Sequence, residues 1–218
     1  IKRGYHENDL LGGKDPYSAS KGAAEILIQS YINSYFNKDK KHNIAVARAG
    51  NVIGGGDWSA NRLIPDCVKS WSNNKKVVIR NPKSTRPWQH VLEAIRGYLT
   101  LAVHLYNNHK IHGEPFNFGP KHSQNKSVIS LVKLMKKDWS RVSWKEGKNL
   151  KEKYESKLLK LDSSKARKKL KWVPKITFDE TVKMTASWYK NFYAKKKSSI
   201  YDFSLKQIED YTKKIKLK

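Results

Sequence analysis

Two residues one helical turn apart carry the first chemical signal in this chain. They are Tyr17 and Lys21, inside the run Asp15-Pro16-Tyr17-Ser18-Ala19-Ser20-Lys21-Gly22-Ala23-Ala24-Glu25. A phenol titrates near pH ~10 in water, and an ammonium beside it favours the phenolate, so the pair can act as a proton acceptor near neutral pH. A plain helical reading stands beside this one. Tyr-x-x-x-Lys is a short pattern, and a lysine can lay its stem along the first turn while its ammonium stays in water.

The element that positions the pair is a helix. Asp15 can accept from the first free amides and Pro16 suits the first helical position, so the helix starts here and is expected to run to about Phe36. At about 100° per residue, Tyr17, Ala24, Leu27, Ile28, Tyr31, Ile32 and Tyr35 share one apolar stripe. Lys21 falls in its middle. An ammonium buried there loses hydration, and Tyr17 one turn earlier gives it a reason to be present.

A second group of candidates is made of arginines. The chain has 37 lysines and only 8 arginines, yet Arg62, Arg80 and Arg86 fall in one short region. A planar guanidinium binds phosphate bidentately where an ammonium acts as a point charge, so ligand contact is favoured here over structural ion pairing. Just upstream, Ile44 to Val52 reads as a strand interrupted by Arg48 and ending in Ile53-Gly54-Gly55-Gly56-Asp57-Trp58. Helix, apolar strand and glycine-rich loop is the rhythm of a parallel α/β sheet, whose ligands sit outside the carboxyl ends of the strands. The loop is therefore expected to face a ligand. Its glycines lack the Gly-x-Gly-x-x-Gly spacing of a dinucleotide fingerprint, and a tight turn accounts for them as well.

The remaining elements follow from pattern. Leu63 to Ser72 reads as a helix, Val77 to Arg80 as a strand, and Leu92 to Tyr106 as a core helix with Leu92, Ile95, Leu99, Ala102, Leu105 and Tyr106 inward. Phe116 to Phe118 is a buried strand, Ser127 to Trp139 a helix, Arg141 to Lys145 a strand, and Gly147 to Lys157 a loop. Asp162 is expected to cap a helix stopped by Pro174, and Thr177-x-x-Glu180 is a capping box opening a helix with Trp188, Tyr189 and Phe192 on its apolar side. From Lys195 the chain reads as a basic tail of weak helical character.

Composition bounds the function classes. The 218 residues are 38% hydrophobic and 11% aromatic, enough for a sizeable core. The single cysteine, Cys67, allows no internal disulfide, no Cys/His cluster has zinc spacing, and a reducing, cytoplasmic compartment fits. No apolar run approaches the ~18 residues of a membrane span. The chain opens at Ile1 in a polar run without the shape of a signal peptide, and reads as entering mid-protein. A net charge of +26 suggests nucleic acid, but the lysines are spread along solvated faces and no nucleic-acid motif accompanies them.

The segment Asp15 to Glu25 resembles the catalytic helix of the extended short-chain dehydrogenase/reductase family. Ala47-Arg48-Ala49-Gly50-Asn51-Val52 with the loop to Trp58, Arg62-Leu63-Ile64-Pro65-Asp66, Ile79-Arg80-Asn81-Pro82 and Arg86-Pro87-Trp88-Gln89-His90-Val91 resemble its CDP-glucose 4,6-dehydratase branch. Leu161-Asp162-x-Ser-Lys165-Ala166 and Leu170-x-Trp172-x-Pro174 extend the match to about Tyr193.

This resemblance implies an α/β fold: the C-terminal part of a Rossmann-type doubly wound parallel sheet plus a smaller α/β substrate-binding domain. Residues 1–60 and 87–122 would be the remaining half of the NAD-binding domain, 61–86 and 123–194 the sugar-nucleotide-binding domain, and 195–218 the basic tail. It implies an NAD-dependent lyase of deoxysugar biosynthesis, of the lipopolysaccharide O-antigen kind, that acts on CDP-glucose as a homo-oligomer, with no metal, nucleic acid or membrane. Tyr17 would take the proton of the sugar 4-hydroxyl while hydride passes to NAD, and Lys21 would lower the Tyr17 pKa and contact the ribose. Asn51 and Arg86 would contact the sugar-nucleotide, with Arg86 on the diphosphate and Arg62 nearby; Arg80 would lie near the base and Asn117 near the phosphates. The family's cofactor loop and its dehydration acid/base motif are absent from this sequence, so the chain alone is expected to be inactive. Tyr154-Glu155 stands where the family usually has His-Glu. Three other readings remain: another nucleotide-sugar dehydratase or epimerase, a basic nucleic-acid-binding module, and a non-catalytic interaction surface.

Overall fold

The structure, a computed structural model, describes residues 3–37, 41–139, 142–147, 159–194 and 199–216. In chain order these form α1 (Pro16–Tyr31), continued by a π-helical turn at Ile32–Phe36, then β1 (Val46–Ala49), β2 (Val52–Ile53), α2 (Leu63–Ser72), β3 (Val77–Ile79), β4 (Thr85–Arg86), β5 (Gln89–His90) and α3 (Val91–Asn107). There follow β6 (Pro115–Phe118), β7 (Lys126–Ser127), α4 (Val128–Asp138), β8 (Trp144–Glu146), α5 (Ser164–Leu170), α6 (Phe178–Tyr193) and α7 (Ile200–Lys216).

Among the described residues the strands pair two by two. β1 with β6, β2 with β5 and β3 with β8 are parallel, and β4 with β7 is antiparallel. Val46 lies opposite Pro115 and Ala49 opposite Phe118, with α3 in the crossover that parallel pairing demands. The expected strand Ile44 to Val52 is split because the chain changes partners: Gly50 N donates to Phe118 O, whereas Asn51 O accepts from Gln89 N.

Two apolar cores result. The larger gathers Ile64, Val68 and Trp71 of α2, Leu131, Val132 and Met135 of α4, and Val182, Ala186 and Tyr189 of α6 against β3, with Ile53 and Trp88 reaching it from the β2–β5 side. The smaller packs Leu101 of α3, Phe116 and Phe118 of β6, and Ala166 and Leu170 of α5 around Trp172. Phe118 and Trp172 meet edge to face at 5.1 Å, a favourable arrangement for aromatic quadrupoles.

Two helices turn a different face inward from the one their apolar spacing predicts. α1 buries only Gly22, and the following turn buries Ile32, so Leu27, Tyr31 and Tyr35 face outward. α3 buries Glu93, Ala94, Gly97 and Leu101 and leaves Ile95, Leu99, Val103 and Tyr106 exposed. The reason lies in close approach: a Cβ at residue 97 would stand 2.5 Å from the Phe118 ring, so only glycine lets α3 settle there. Glu93 follows it inward because Ile176 N and Arg96 Nη2 donate to its carboxylate at 2.9 and 3.0 Å.

Smaller differences have local causes. The cap of α5 is Ser163 rather than Asp162, whose Oδ1 instead accepts from Ser164 N at 2.7 Å. Of the strand expected at Arg141 to Lys145, Arg141 lies outside the described residues and the strand formed is β8, Trp144–Glu146; of the loop expected from Gly147 only its first residue is described, so Tyr154 and Glu155 also lie outside the described residues. The capping box at Thr177 and Glu180 is formed. Where a weakly helical tail is expected, residues 200–216 form the 17-residue helix α7, with Tyr211 buried against the fold. No helix among the described residues is long and apolar enough to cross a membrane.

Candidate active site

Asp15 opens α1, its Oδ1 accepting from Ser18 N at 2.9 Å and its Oδ2 from Ser18 Oγ at 2.7 Å. Tyr17 and Lys21 stand side by side on the first turns, with the Lys21 ammonium 5.8 Å from the centre of the Tyr17 ring. Both are exposed, Tyr17 by 71%, so Lys21 does not lie in a buried stripe. The cause is the way α1 is held. A Cβ at Gly22 would sit 2.6 Å from Gly12 N, which makes this the contact side of the helix. One turn on, Glu25 accepts from Arg48 Nε of β1 at 2.8 and 2.9 Å. Arg48 Nη1 also donates to Glu7 O at 3.0 Å, and the Glu7 carboxylate accepts from Asn117 N of β6 at 2.9 Å. The helix bearing Tyr17 and Lys21 is thus tied through side chains to both strands of the β1–β6 pair.

Two of the other candidates, Asn51 and Asn117, lie toward the carboxyl ends of the parallel strands β1 and β6, whereas Arg86 lies on β4, which pairs antiparallel with β7. Asn51 follows β1 and hands its carbonyl to Gln89 N at 3.0 Å. Arg86, on β4, is buried, with Nη1 donating to Thr85 O at 2.9 Å. Its neighbour Pro87 packs so closely on Gly50 that a Cβ there would lie 2.9 Å from the proline ring. Asn117, on β6, is 1% exposed; its Nδ2 donates to Tyr5 O at 3.1 Å, and its Oδ1 is buried with no hydrogen-bond partner. Gln89 Nε2 and Gly50 N both donate to Phe118 O, so the end of β1, the start of β5 and the end of β6 meet at one carbonyl next to Asn51 and Asn117 in the chain. In open parallel sheets this is where ligands bind.

Arg62 and Arg80 stand apart from that junction. Arg62 is exposed before α2 and pairs with Asp57 at 3.3 Å. Burial alone would push the Asp57 carboxyl up, but the Ser59 amide and the Arg62 guanidinium more than offset it and hold it below the usual carboxylate range. Arg80 is exposed just past β3, on the β3–β8 pair. The glycine loop between these sites is filled from within. A Cβ at Gly54 would lie 2.7 Å from Val91, one at Gly55 2.1 Å from the Trp188 indole, and Gly56 adopts φ +83°. The loop is thus a turn with a packing duty.

Known proteins are similar to this chain in sequence and in fold. The family profile described as GDP-mannose 4,6 dehydratase matches residues 2–185. The chain belongs to that family. It is 46% identical over 193 residues to the CDP-glucose 4,6-dehydratase of Salmonella typhimurium, which covers 86% of this chain and 53% of that protein. Among solved structures, the UDP-glucuronic acid 4-epimerase of Bacillus cereus, in complex with UDP-glucuronic acid and NAD, superimposes with a TM-score of 0.74 at 21% identity, over 88% of this chain and 57% of that one. A dTDP-glucose 4,6-dehydratase from Streptomyces venezuelae with NAD and TYD bound gives 0.71 at 20%, over 87% of this chain and 55% of that one. The fold is therefore of the Rossmann type, and the chain spans about half the length of the relatives it matches.

For a member of the GDP-mannose 4,6 dehydratase family, the fit to a nicotinamide dinucleotide is partial. Tyr17 and Lys21, exposed and adjacent, suit the nicotinamide ribose end. A pyrophosphate needs free backbone amides at a helix start. Gly54 to Gly56 do not offer them, because Val91 and Trp188 occupy that space. Gly12 and Gly13 precede a helix whose Ser18 amide is already taken by the Asp15 carboxylate, a negative charge that repels an anion there.

Sequence reasoning passed over three residues of this region. Arg48 reads as an interruption of a strand, yet a cation inside an apolar strand needs a carboxylate, and Glu25 on the neighbouring helix supplies it. Glu7 carried no signal of its own. His90 is 2% exposed and caps α3, its Nδ1 accepting from Leu92 N at 3.3 Å. Burial pushes its pKa down to about 4, so the ring is neutral at physiological pH.

Proposed function

We propose that this chain carries the catalytic helix and the sugar-nucleotide site of an NAD-dependent CDP-glucose 4,6-dehydratase, a carbon-oxygen lyase that forms CDP-4-keto-6-deoxyglucose. The setting would be cytoplasmic deoxysugar biosynthesis, with O-antigen assembly as one outlet, and the working enzyme a homo-oligomer. The observation that carries this reading is the meeting of the β1 and β6 ends at Phe118 O, beside Asn51 and Asn117, in a fold that sets the Tyr17–Lys21 pair on a helix tied to the same two strands. The 46% identity to the Salmonella enzyme supports the choice of CDP-glucose.

In this reading NAD, when bound, would supply a hydride store that takes the hydrogen of the sugar C4 and gives it back at C6. The chain's own part is acid/base work and positioning. The Tyr17 oxygen takes the C4 hydroxyl proton, and the Lys21 ammonium one turn away stabilises the phenolate and holds the ribose. The Arg86 fork takes the diphosphate, with Asn117 beside it and Asn51 on the sugar; Arg62 approaches from the α2 side and Arg80 lies toward the base. Residues 1–60 and 87–122 serve the cofactor half and residues 61–86 and 123–194 the nucleotide half. A ketone at C4 acidifies the C5 proton, which allows the C6 hydroxyl to leave as water; the C5=C6 bond so formed would take back the hydride at C6 and a proton at C5, so that oxidation at C4 is balanced by reduction at C6. Because no free glycine cradle for a pyrophosphate exists among the described residues, the chain by itself is proposed to be inactive.

The test has two arms. Calorimetric titration of the purified chain should show no NAD binding and weak binding of CDP-glucose. The Salmonella dehydratase with this chain substituted for its matching half should form the 4-keto product from CDP-glucose. A chimera that binds NAD but turns over only a dTDP- or UDP-sugar would replace this reading by another nucleotide-sugar dehydratase or epimerase.

A further inference from the structure

The helix α7 lies beyond the residues that the family profile matches, and it contributes none of the site residues named above. Its mean hydropathy is low and its surface is rich in lysine, which is why it reads as a tail. It is nevertheless fastened along its length. Ser204 Oγ accepts from the Trp188 indole N–H at 2.9 Å, Gln207 Nε2 donates to Met184 O at 2.9 Å, and Lys214 pairs with Glu180 at the opposite end of α6. Tyr211 reaches across to α3, where its hydroxyl accepts from Arg96 Nε at 2.8 Å. One helix therefore grips both α6 of the larger core and α3 of the smaller.

What α7 fastens bears directly on the glycine loop. Trp188 covers Gly55 at a distance that admits no Cβ. The next residue, Tyr189, donates from its hydroxyl to Asp57 O at 2.7 Å, and Asp57 in turn pairs with Arg62. The loop joins Asn51, at the strand-end junction, to Arg62, at the start of α2. Its conformation is thus set from outside, by an indole whose own orientation is fixed by Ser204. An indole N–H left without its acceptor in a half-buried site loses that orientation.

We propose that α7 is a brace for the sugar-nucleotide loop, and that Ser204 is a positioning residue acting through Trp188 on residues 54–58. The proposal extends the reading under Proposed function, because only there does the loop face a nucleotide-sugar; the brace itself is a statement about the loop's opening.

The experiment is amide hydrogen exchange on the whole chain, unaltered and as Ser204→Ala, Ser204→Thr and Ser204→Ala/Tyr211→Phe. Loss of one hydrogen bond should speed exchange at residues 54–58 about five-fold in Ser204→Ala, with more in the double variant. Ser204→Thr, which keeps the acceptor oxygen, should return the loop to the unaltered rate, and the amides of β1 and β6 should not change in any variant. Unchanged loop exchange in the double variant overturns the brace, as does an equal acceleration in β1 and β6, which marks a purely global loss of stability. Calorimetric titration of the same samples with CDP-glucose separates the two proposals. A chain that shows the loop effect but binds no CDP-glucose keeps the brace and refutes the nucleotide-sugar reading. One that binds CDP-glucose without the loop effect does the reverse.

Discussion

Replacing Glu25 with alanine removes the carboxylate that ties α1 to β1, and the structure allows the consequence to be sized. α1 buries only Gly22 along its length, so apolar packing contributes little to holding it. Arg48 Nε contacts both Glu25 oxygens, at 2.8 and 2.9 Å, and the side chains of the pair are 19% and 18% exposed. Surface ion pairs contribute roughly 0 to 1 kcal/mol, whereas breaking a buried pair costs about 3 to 5 kcal/mol. A forked pair about one-fifth exposed belongs between them, and we expect a coupling of about 2 kcal/mol. At 1.36 kcal/mol per decade, that is about a thirty-fold change in the opening equilibrium of the helix. The assay is a double-mutant cycle of Glu25→Ala and Arg48→Ala, read by amide exchange across residues 19–31 with β3 and α2 as internal references. Exchange should rise in α1 and remain unchanged in the references. A coupling below about 0.5 kcal/mol, or exchange that rises equally everywhere, would refute the view that this pair is the tether of the Tyr17–Lys21 helix.

Other expectations concern catalysis, binding and pH. In the Salmonella chimera, Lys21→Met should abolish turnover with an unchanged melting temperature, and a near-normal rate at neutral pH would sink the acid/base assignment. Arg86→Lys in the same chimera should weaken CDP-glucose binding at least ten-fold while NAD binding stays within two-fold, as the loss of a bidentate phosphate contact requires; equal losses in calorimetry would count against the diphosphate placement. His90 has an ordinary pKa of 6.5 when unfolded and about 4 when folded, so the unfolded chain binds the extra proton between these values. The stability this group contributes is therefore complete above pH 6.5 and is lost as pH falls toward 4, by about 2 kcal/mol between pH 7.5 and 5. His90→Asn, which retains a capping acceptor, should flatten that part of the urea-midpoint profile, and an unchanged profile would contradict it. The +26 charge should give DNA association that vanishes by physiological salt, whereas sequence-specific retention there would favour a nucleic-acid function.

Local signals in the sequence located most elements. Leu63 to Ser72 is α2 as expected, Asp15 and Pro16 open α1, and Thr177 and Glu180 cap α6, because each rests on backbone chemistry that neighbouring residues complete. Which face a helix buries was less legible. On α3, apolar spacing selects Ile95 and Leu99, but Gly97 and Glu93 decide the matter through a ring contact and hydrogen bonds to residues about eighty positions away. The same limit applies to the site. Tyr17 and Lys21 could be proposed from sequence because their proximity is local, and Asn51 and Arg86 because they sit in distinctive runs. The Arg48–Glu25 tether and the Glu7–Asn117 contact join residues 23 and 110 positions apart, and nothing in either partner's neighbourhood announces the other. α7 escaped because its docking uses single polar atoms rather than an apolar stripe.

The outward faces of α1 and α3 have a bearing on how the chain behaves in solution. Leu27 and Tyr31 on α1 with Tyr35 in the turn that continues it, and Leu99, Val103 and Tyr106 on α3, leave large apolar side chains in solvent, the kind of surface that draws molecules together. Against this stands the +26 charge, whose mutual repulsion acts over a Debye length that shrinks from about 30 Å at 0.01 M salt to about 8 Å at physiological strength. Attraction at contact is hardly weakened by salt, while the long-range repulsion fades. We accordingly expect the protein to be most dispersed in dilute buffer and to self-associate increasingly as salt is added, a trend that light scattering across a salt series would check. That order is opposite to the one in which added salt weakens its grip on polyanions.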